Sequence, residues 1–209
     1  MFFKEIQKNQ DVNDLKKVAA LLIHAAKIDE DYSMKEREII TNMKLLKPLS
    51  FVQDFAKVNQ KQVGSDRLAN SIAVIDKKNN YIIIDFGTAT TFDVVIKKNY
   101  LGGIISPGIN LSLKTLTSQA SLIPEINLKK ISYVIGKNTN EAVRSGFYWG
   151  YAGLIDNMIK LIKRQTNSSF KIILTGGLAD LYKKSIKARC KIDKDLTIKG
   201  IIRITKNLI

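Results

Sequence analysis

Apolar residues recur at two spacings along this chain, and each spacing predicts one kind of element. Between Asp14 and Ile28 they fall at Leu15, Val18, Ala19, Leu22, Ala25 and Ala26, the rhythm of a helix face. Asp29-Glu30-Asp31-Tyr32 interrupts it. Ser33 and Glu36 then form a capping box that starts a second helix, running to about Leu46 with Ile39, Ile40 and Met43 inward. Pro48 and Ser50 mark a junction. A third helix is predicted from Asp66 to about Asp76, on a face of Leu68, Ala69, Ile72 and Ala73. There the spacing changes. Tyr81 to Ile84 is a continuous β-branched run suited to a buried strand, and Thr91 to Ile96 is a second run of strand formers. Tyr100 to Ser106 predicts a third strand, and Pro107-Gly108 open a helix from Ile109 to about Ala120. A loop through Pro124 leads to a short strand at Val134-Ile135. A long helix follows from Asn138 or Thr139 to about Lys163, whose small residues, Gly146 and Gly153 among them, predict close helix packing. Phe170 to Thr175 is a buried strand, Leu178 to Ala188 a helix, and Leu196 to Ile202 a short closing strand or helix. Strands and helices in this order predict an α/β domain with a mixed sheet flanked by helices over residues 48–209, preceded by a short helical segment over 1–47.

Composition narrows the function classes. With 45% apolar residues in 209, a sizeable core is possible, and no apolar run reaches the ~18 residues of a membrane span. The first residues have no basic region followed by an apolar one, so no signal peptide is read, and the single cysteine, Cys190, forms no intrachain disulfide; a cytoplasmic setting is expected. The net charge of +15 is uneven: residues 1–43 carry seven Lys/Arg and eight Asp/Glu, against 27 and 11 in residues 44–209. Such a balance favours anionic partners: nucleotides, nucleic acid or acidic lipid. No aromatics interleave with the basic residues as a single-strand platform would need, so nucleic acid is not expected as a partner. Asp29, Glu30 and Asp31 lack the spacing of a calcium loop and read as a solvated turn. His24, the only histidine, reads as structural.

The candidate chemistry lies between the first two strands, in Asp85-Phe86-Gly87-Thr88-Ala89-Thr90-Thr91. Gly87 lets the backbone turn sharply and approach a ligand. Thr88, Thr90 and Thr91 offer hydroxyls and N–H groups to phosphate oxygens. Asp85, ending a buried strand, needs a cation or a donor to offset its desolvation. An ordinary hairpin whose threonines satisfy their own backbone fits the same residues. Four further motifs stand in order around it: Gly64-Ser65-Asp66-Arg67, Gly102-Gly103 through Pro107-Gly108, Gly136-Lys137-Asn138-Thr139, and Thr175-Gly176-Gly177-Leu178-Ala179.

As an ordered set, these motifs resemble the type III pantothenate kinases over about residues 63–208. The resemblance implies an actin-like, sugar-kinase (ribonuclease H-like) lobe. It also implies ATP-dependent phosphorylation of pantothenate to 4'-phosphopantothenate, the first step toward coenzyme A. By position, Gly64, Ser65, Asp66 and Arg67 match the substrate motif, with Asp66 the catalytic base and Arg67 the group that holds the acidic substrate. Thr139 matches a pantothenate contact and is an equally good helix N-cap. Gly87, Thr88, Thr90, Thr91, Gly176 and Gly177 match the ATP site. Asp85 matches the site of a monovalent cation, potassium or ammonium. Magnesium with the nucleotide and a homodimer are implied as well, the long helix being the expected contact. Residues 14–43 resemble a fragment of the tellurite-resistance-type helical domains. Residues 1–60 contain no Asp-x-Gly-Asn-Thr-type loop, which in the family holds the ATP phosphates from a second lobe. Weak or undetectable turnover is expected on that reading, and the alternative is a catalytically inactive, kinase-derived binding or dimerisation protein.

Overall fold

A computed structural model describes residues 63–206. The helices expected over 14–46 and their tellurite-resistance resemblance, the acidic turn, His24 and the division at 47/48 lie outside these residues. The elements are α1 (Ser65–Val74), β1 (Asn80–Phe86), β2 (Ala89–Ile96), β3 (Asn99–Pro107), α2 (Ile109–Gln119), α3 (Thr139–Thr166), β4 (Lys171–Gly176), α4 (Ala179–Tyr182), β5 (Cys190–Ile192) and α5 (Leu196–Lys206). They build one five-stranded sheet in the order β3-β2-β1-β4-β5. β1, β2 and β3 pair antiparallel in sequence, while β4 lies parallel to β1, and β5 parallel to β4. The sheet is mixed and flanked by helices, the α/β class expected of a sugar-kinase-type lobe.

Strand side chains alternate between the two faces. Ile82, Ile84 and Phe86 of β1 and Phe92 and Val94 of β2 meet α3, which buries Tyr148, Ala152, Ile155, Ile159 and Ile162 against them. Ile83 and Val95 point the other way, into a smaller core with Ile72 and Val74 of α1 and Leu196 of α5. Asp85, Thr91 and Asp93 share the register of that second face. α1 and α5 pack closely: a Cβ at Gly200 would come 1.9 Å from the Ala69 carbonyl oxygen, so only glycine fits there. Arg203 donates to the carbonyls of Ile72 and Ile75, at 3.1 and 2.7 Å, at the end of α1, where the Ile72 carbonyl also accepts from Ile75 N–H.

Three local expectations need correction. Val134-Ile135 is not a strand, and both side chains are largely exposed. The helix expected over 178–188 is only α4, four residues long; the chain then turns and enters β5, whose short run Cys190–Ile192 gives too little pattern to read. The closing segment is a helix. The small residues of α3 also do not pack as expected: a Cβ at Gly146, Gly150 or Gly153 would meet nothing within 4 Å.

Candidate active site

The carboxyl ends of the parallel strands β1 and β4 bring two of the glycine turns together. β1 ends at Phe86 and enters Gly87-Thr88; β4 ends at Gly176 and enters Gly177. The Gly177 N–H donates to the Phe86 carbonyl at 3.2 Å and ties one turn to the other. Gly176 has φ +83°, which only glycine adopts without strain, and a Cβ there would lie 2.6 Å from both Asp85 Oδ1 and the Phe86 carbonyl. Gly108 is needed for a similar reason: a Cβ would come 2.0 Å from the Thr88 carbonyl, so α2 starts directly against this turn. Carboxyl ends of strands in open α/β sheets are where ligands bind. Thr88 and Gly87 are exposed at this edge. Thr90 and Thr91 are not in the turn but in β2. Thr90 is fully buried, and its hydroxyl finds no partner among the described residues.

Around the edge, α1 and the second sheet face assemble the acidic residues. α1 starts at Gly64, whose carbonyl accepts from Leu68 N–H at 3.1 Å, and Asp66 stands exposed in the first helical turn, a favourable place for an anion. Its carboxylate folds back toward Gly64, where an added Cβ would lie 2.5 Å from Oδ1. The Asp66 charge is felt at Arg67, Asp85 and Asp93, so all four share one locality. Asp85 accepts from Asn70 Nδ2 at 3.0 Å through Oδ2. Burial pushes its carboxyl up from an ordinary 3.8 to about 6; the Asn70 hydrogen bond opposes this, and the charges of Asp66 and Asp93 add to it. The donor that the sequence demanded for Asp85 is therefore Asn70.

Arg67 does not reach openly into solvent. Its Nε and Nη2 both meet Asp93 Oδ1, at 2.9 and 2.8 Å, and its side chain is 12% exposed while that of Asp93 is 0%. Tyr100 donates its hydroxyl to the same Oδ1 at 2.7 Å. Burial raises the Asp93 carboxyl above the ordinary range, although Arg67 and Tyr100 pull it down. The Arg67 guanidinium lies above its ordinary value because the pull of Asp93 outweighs the effect of burial. Tyr100 reaches this face through a β-bulge: the register shifts between Val94 and Val95, so Tyr100 pairs with Val95 rather than Ile96. One residue of slip moves a side chain to the opposite face, and Gly102, with φ +120°, takes up the turn. Gly103 leaves room for the pair, since a Cβ would come 2.3 Å from Arg67 Nη2 and 2.1 Å from the Phe92 carbonyl.

Of the residues singled out from the sequence, the structure gathers Gly64, Asp66, Arg67, Asp85, Gly87, Thr88, Gly176 and Gly177 around this edge and face, with Ser65 exposed at the start of α1. Thr139 stands apart, exposed in the first turn of α3, the helix of the opposite face. The capping role falls to Asn138, whose side chain accepts from Glu141 N–H at 3.0 Å, while Glu141 accepts from Lys137 N–H at 2.8 Å. A shallow recess of about 440 Å³ opens beside that helix start, between Lys129, Lys130, Tyr133, Glu141 and Arg144, and is separate from the acidic cluster. Three residues of the cluster were missed: Asn70, Asp93 and Tyr100. Asp93 was the most visible, a charge between Phe92 and Val94 inside an apolar strand, which calls for a partner.

The chain is similar to known proteins. Residues 34–161 match the model of a family described as type III pantothenate kinase. A type III pantothenate kinase of Pelagibacter ubique is 64% identical over 149 residues, covering 71% of this chain and 60% of the relative. One from Koribacter versatilis is 36% identical over 197 residues, covering 90% of this chain and 71% of the relative. A solved structure from Campylobacter jejuni, described as a Baf family transcriptional activator, superposes with a TM-score of 0.62 at 22% identity over 88% of this chain and 87% of that one, a likeness of fold alone. The family match begins inside the 1–47 segment. The chain spans 60% of the length of the Pelagibacter relative.

Proposed function

The chain belongs to the type III pantothenate kinase family, and on that premise we propose that it phosphorylates the primary hydroxyl of pantothenate with ATP, the first step toward coenzyme A. The observation that carries this is the meeting of Asp66, Asp85 and the two glycine turns at the carboxyl ends of β1 and β4. Asp66, exposed and in the first turn of α1, takes the hydroxyl proton as the phosphoryl group arrives. Thr88 offers its hydroxyl to the nucleotide, and the backbone of Gly87, Gly176 and Gly177, which carries no Cβ, lets the nucleotide approach this edge; the Gly87 and Gly177 N–H groups are already given to the Ala89 and Phe86 carbonyls. Thr90 and Thr91 shape the turn from within β2. Arg67 commits Nε and Nη2 to Asp93, so recognition of the substrate carboxylate falls to Nη1. Thr139 stands apart from this cluster within one chain, so its pantothenate contact belongs to a site completed by the second copy of the homodimer proposed below. Magnesium bound with the nucleotide would neutralise the phosphate charge. A coupled ADP-release assay with potassium and magnesium tests the proposal: turnover that depends on pantothenate supports it. Pantothenate binding by calorimetry without turnover would favour a non-catalytic, kinase-derived binding protein, the reading suited to a chain that spans 60% of its Pelagibacter relative.

Asp85 fits a monovalent cation. Its Oδ2 is held by Asn70, and its Oδ1 faces Gly176. An oxygen donor beside open backbone suits a hard cation such as potassium or ammonium. The pH dependence follows. An acid whose folded pKa is raised stabilises the fold when protonated; that contribution is complete below about 3.8 and lost as pH rises through about 6. A bound cation acts in the opposite sense, since it needs the carboxylate. Potassium, compared with a bulky cation at equal ionic strength, is therefore expected to raise the melting temperature above pH 6 and to lose that effect below it. A potassium effect equally large at pH 5 would remove Asp85 from the site.

We also propose a homodimer through α3. Gly146, Gly150 and Gly153 lie on one exposed helix face, a surface on which a second backbone can approach closely. Light scattering is expected to give a dimer for the chain and a monomer for Gly150→Arg. A monomer for both would rule the contact out.

A further inference from the structure

The acidic cluster is connected to the end of the described chain by a partly buried hydrogen-bond relay. Thr197, in the first turn of α5, donates its hydroxyl to Asn70 Oδ1 at 2.7 Å. Asn70, fully buried in α1, donates its amide to Asp85 Oδ2 at 3.0 Å. The direction of the relay is fixed by chemistry. The carboxamide has one acceptor and one donor end, so occupying Oδ1 with the Thr197 hydroxyl turns the NH₂ toward Asp85. With the amide reversed, the Asn70 oxygen would face the Asp85 carboxylate, two acceptors without a donor between them. Thr197 reaches Asn70 because Gly200, one turn later on the same face of α5, lets that helix lie directly on the Ala69 carbonyl. The relay and the close packing are thus parts of one arrangement.

We propose that Asn70 and Thr197 are positioning residues for Asp85, holding its Oδ2 so that Oδ1 is presented toward Gly176 as the cation-binding oxygen. This rests on the reading of Asp85 as a cation ligand and assigns α5 a part in that site. The groups facing Asp85 are the Asn70 amide and the carboxylates of Asp66 and Asp93, with Arg67 paired to Asp93 beyond them. Two like charges close by make the orientation costly to lose, since a freely turning Asp85 could place both oxygens against them.

The experiment uses the full chain and three variants, Asn70→Ala, Thr197→Val and Thr197→Ser. The first readout is the Asp85 carboxyl titration followed by carbon NMR, without potassium. It is expected to move upward in Asn70→Ala and, by less, in Thr197→Val, and to return to its original position in Thr197→Ser, which keeps the hydroxyl. The second readout is potassium alone as the probe, through the melting temperature. Its midpoint concentration is expected to rise about tenfold or more in Asn70→Ala, the size of a hydrogen bond to a charged group, and to be restored in Thr197→Ser relative to Thr197→Val. Titrations unchanged in both Asn70→Ala and Thr197→Val overturn the proposal. A moved titration in a protein that potassium does not stabilise overturns the cation reading of Asp85 and leaves the relay standing, so the two failures are distinguishable. Should Asn70→Ala fail to fold, the Thr197→Val and Thr197→Ser pair decides the matter, because the Thr197 side chain is only partly buried.

Discussion

In Asp66→Asn, the pantothenate-dependent release of ADP that the chain sustains is expected to fall by about 10²–10⁴-fold, the usual worth of a positioned general base. The substitution removes the acceptor for the hydroxyl proton and little else. Asp66 is exposed, and its carboxylate turns back over Gly64, so no core contact is lost and the melting temperature is expected to hold. Pantothenate affinity, measured by calorimetry, is expected to change by much less than turnover, because an amide of the same shape still fills the position. An internal check comes from its neighbours. The Asp66 charge is among the causes that push the Asp85 carboxyl up to about 6, so Asp66→Asn lowers the Asp85 titration. A variant that keeps full turnover while its Asp85 titration shifts down would place Asp66 in the cluster and deny it the role of base.

The elements whose pattern was long and one-sided were legible from sequence. β1 reads as Tyr81-Ile82-Ile83-Ile84, and α3 repeats its buried residues at helical spacing from Ser145 to Ile162, about five turns, so periodicity alone located both. The glycine turns were legible too, since Gly87 and Gly176-Gly177 each follow an apolar run. What was not legible depended on register or on contacts between distant segments. Tyr100 joins the site only because a bulge at Val94/Val95 turns it to the other face, and no one-strand pattern announces that slip. Asn70 joins the site only once β1 and α5 lie on either side of it. Gly146 and Gly153 were read as packing residues from their size, which says how near a neighbour could come but not whether the same chain supplies one. The pairing of Arg67 with Asp93 is the sharpest case. The two lie 26 residues apart, and only Arg67 was given a role from sequence, that of holding the acidic substrate.

That pair sets up the largest expected change in stability. Arg67→Met keeps the aliphatic bulk of the side chain and removes the charge, which leaves Asp93, 0% exposed, as an unpaired buried carboxylate. Breaking one side of a buried ion pair costs about 3–5 kcal/mol. The low end is expected here, because the Arg67 side chain is 12% exposed and water can partly replace it. The Tyr100 hydroxyl still donates to Asp93 Oδ1, which further limits the loss, but Oδ2 already has no partner among the described residues. The sign of the pH dependence is fixed by the unpaired acid. Without Arg67 the folded Asp93 pKa rises further, so the penalty is greatest where the acid is forced to ionise and shrinks as pH falls through its new, higher value. Urea unfolding at two pH values measures both terms. Removing all three polar partners together, in Arg67→Met with Asp93→Leu and Tyr100→Phe, is expected to recover most of the lost stability, since no buried charge is left without a partner. Pantothenate affinity, in contrast, is expected to stay lost in the triple variant, because an apolar cluster cannot recognise a carboxylate. Recovery of both together would mean that Arg67 serves the fold alone and that the substrate acid is held elsewhere. An Arg67→Met variant less than 1 kcal/mol weaker than the original chain would show that Asp93 is reached by water and that the pair adds little to holding α1 against β2.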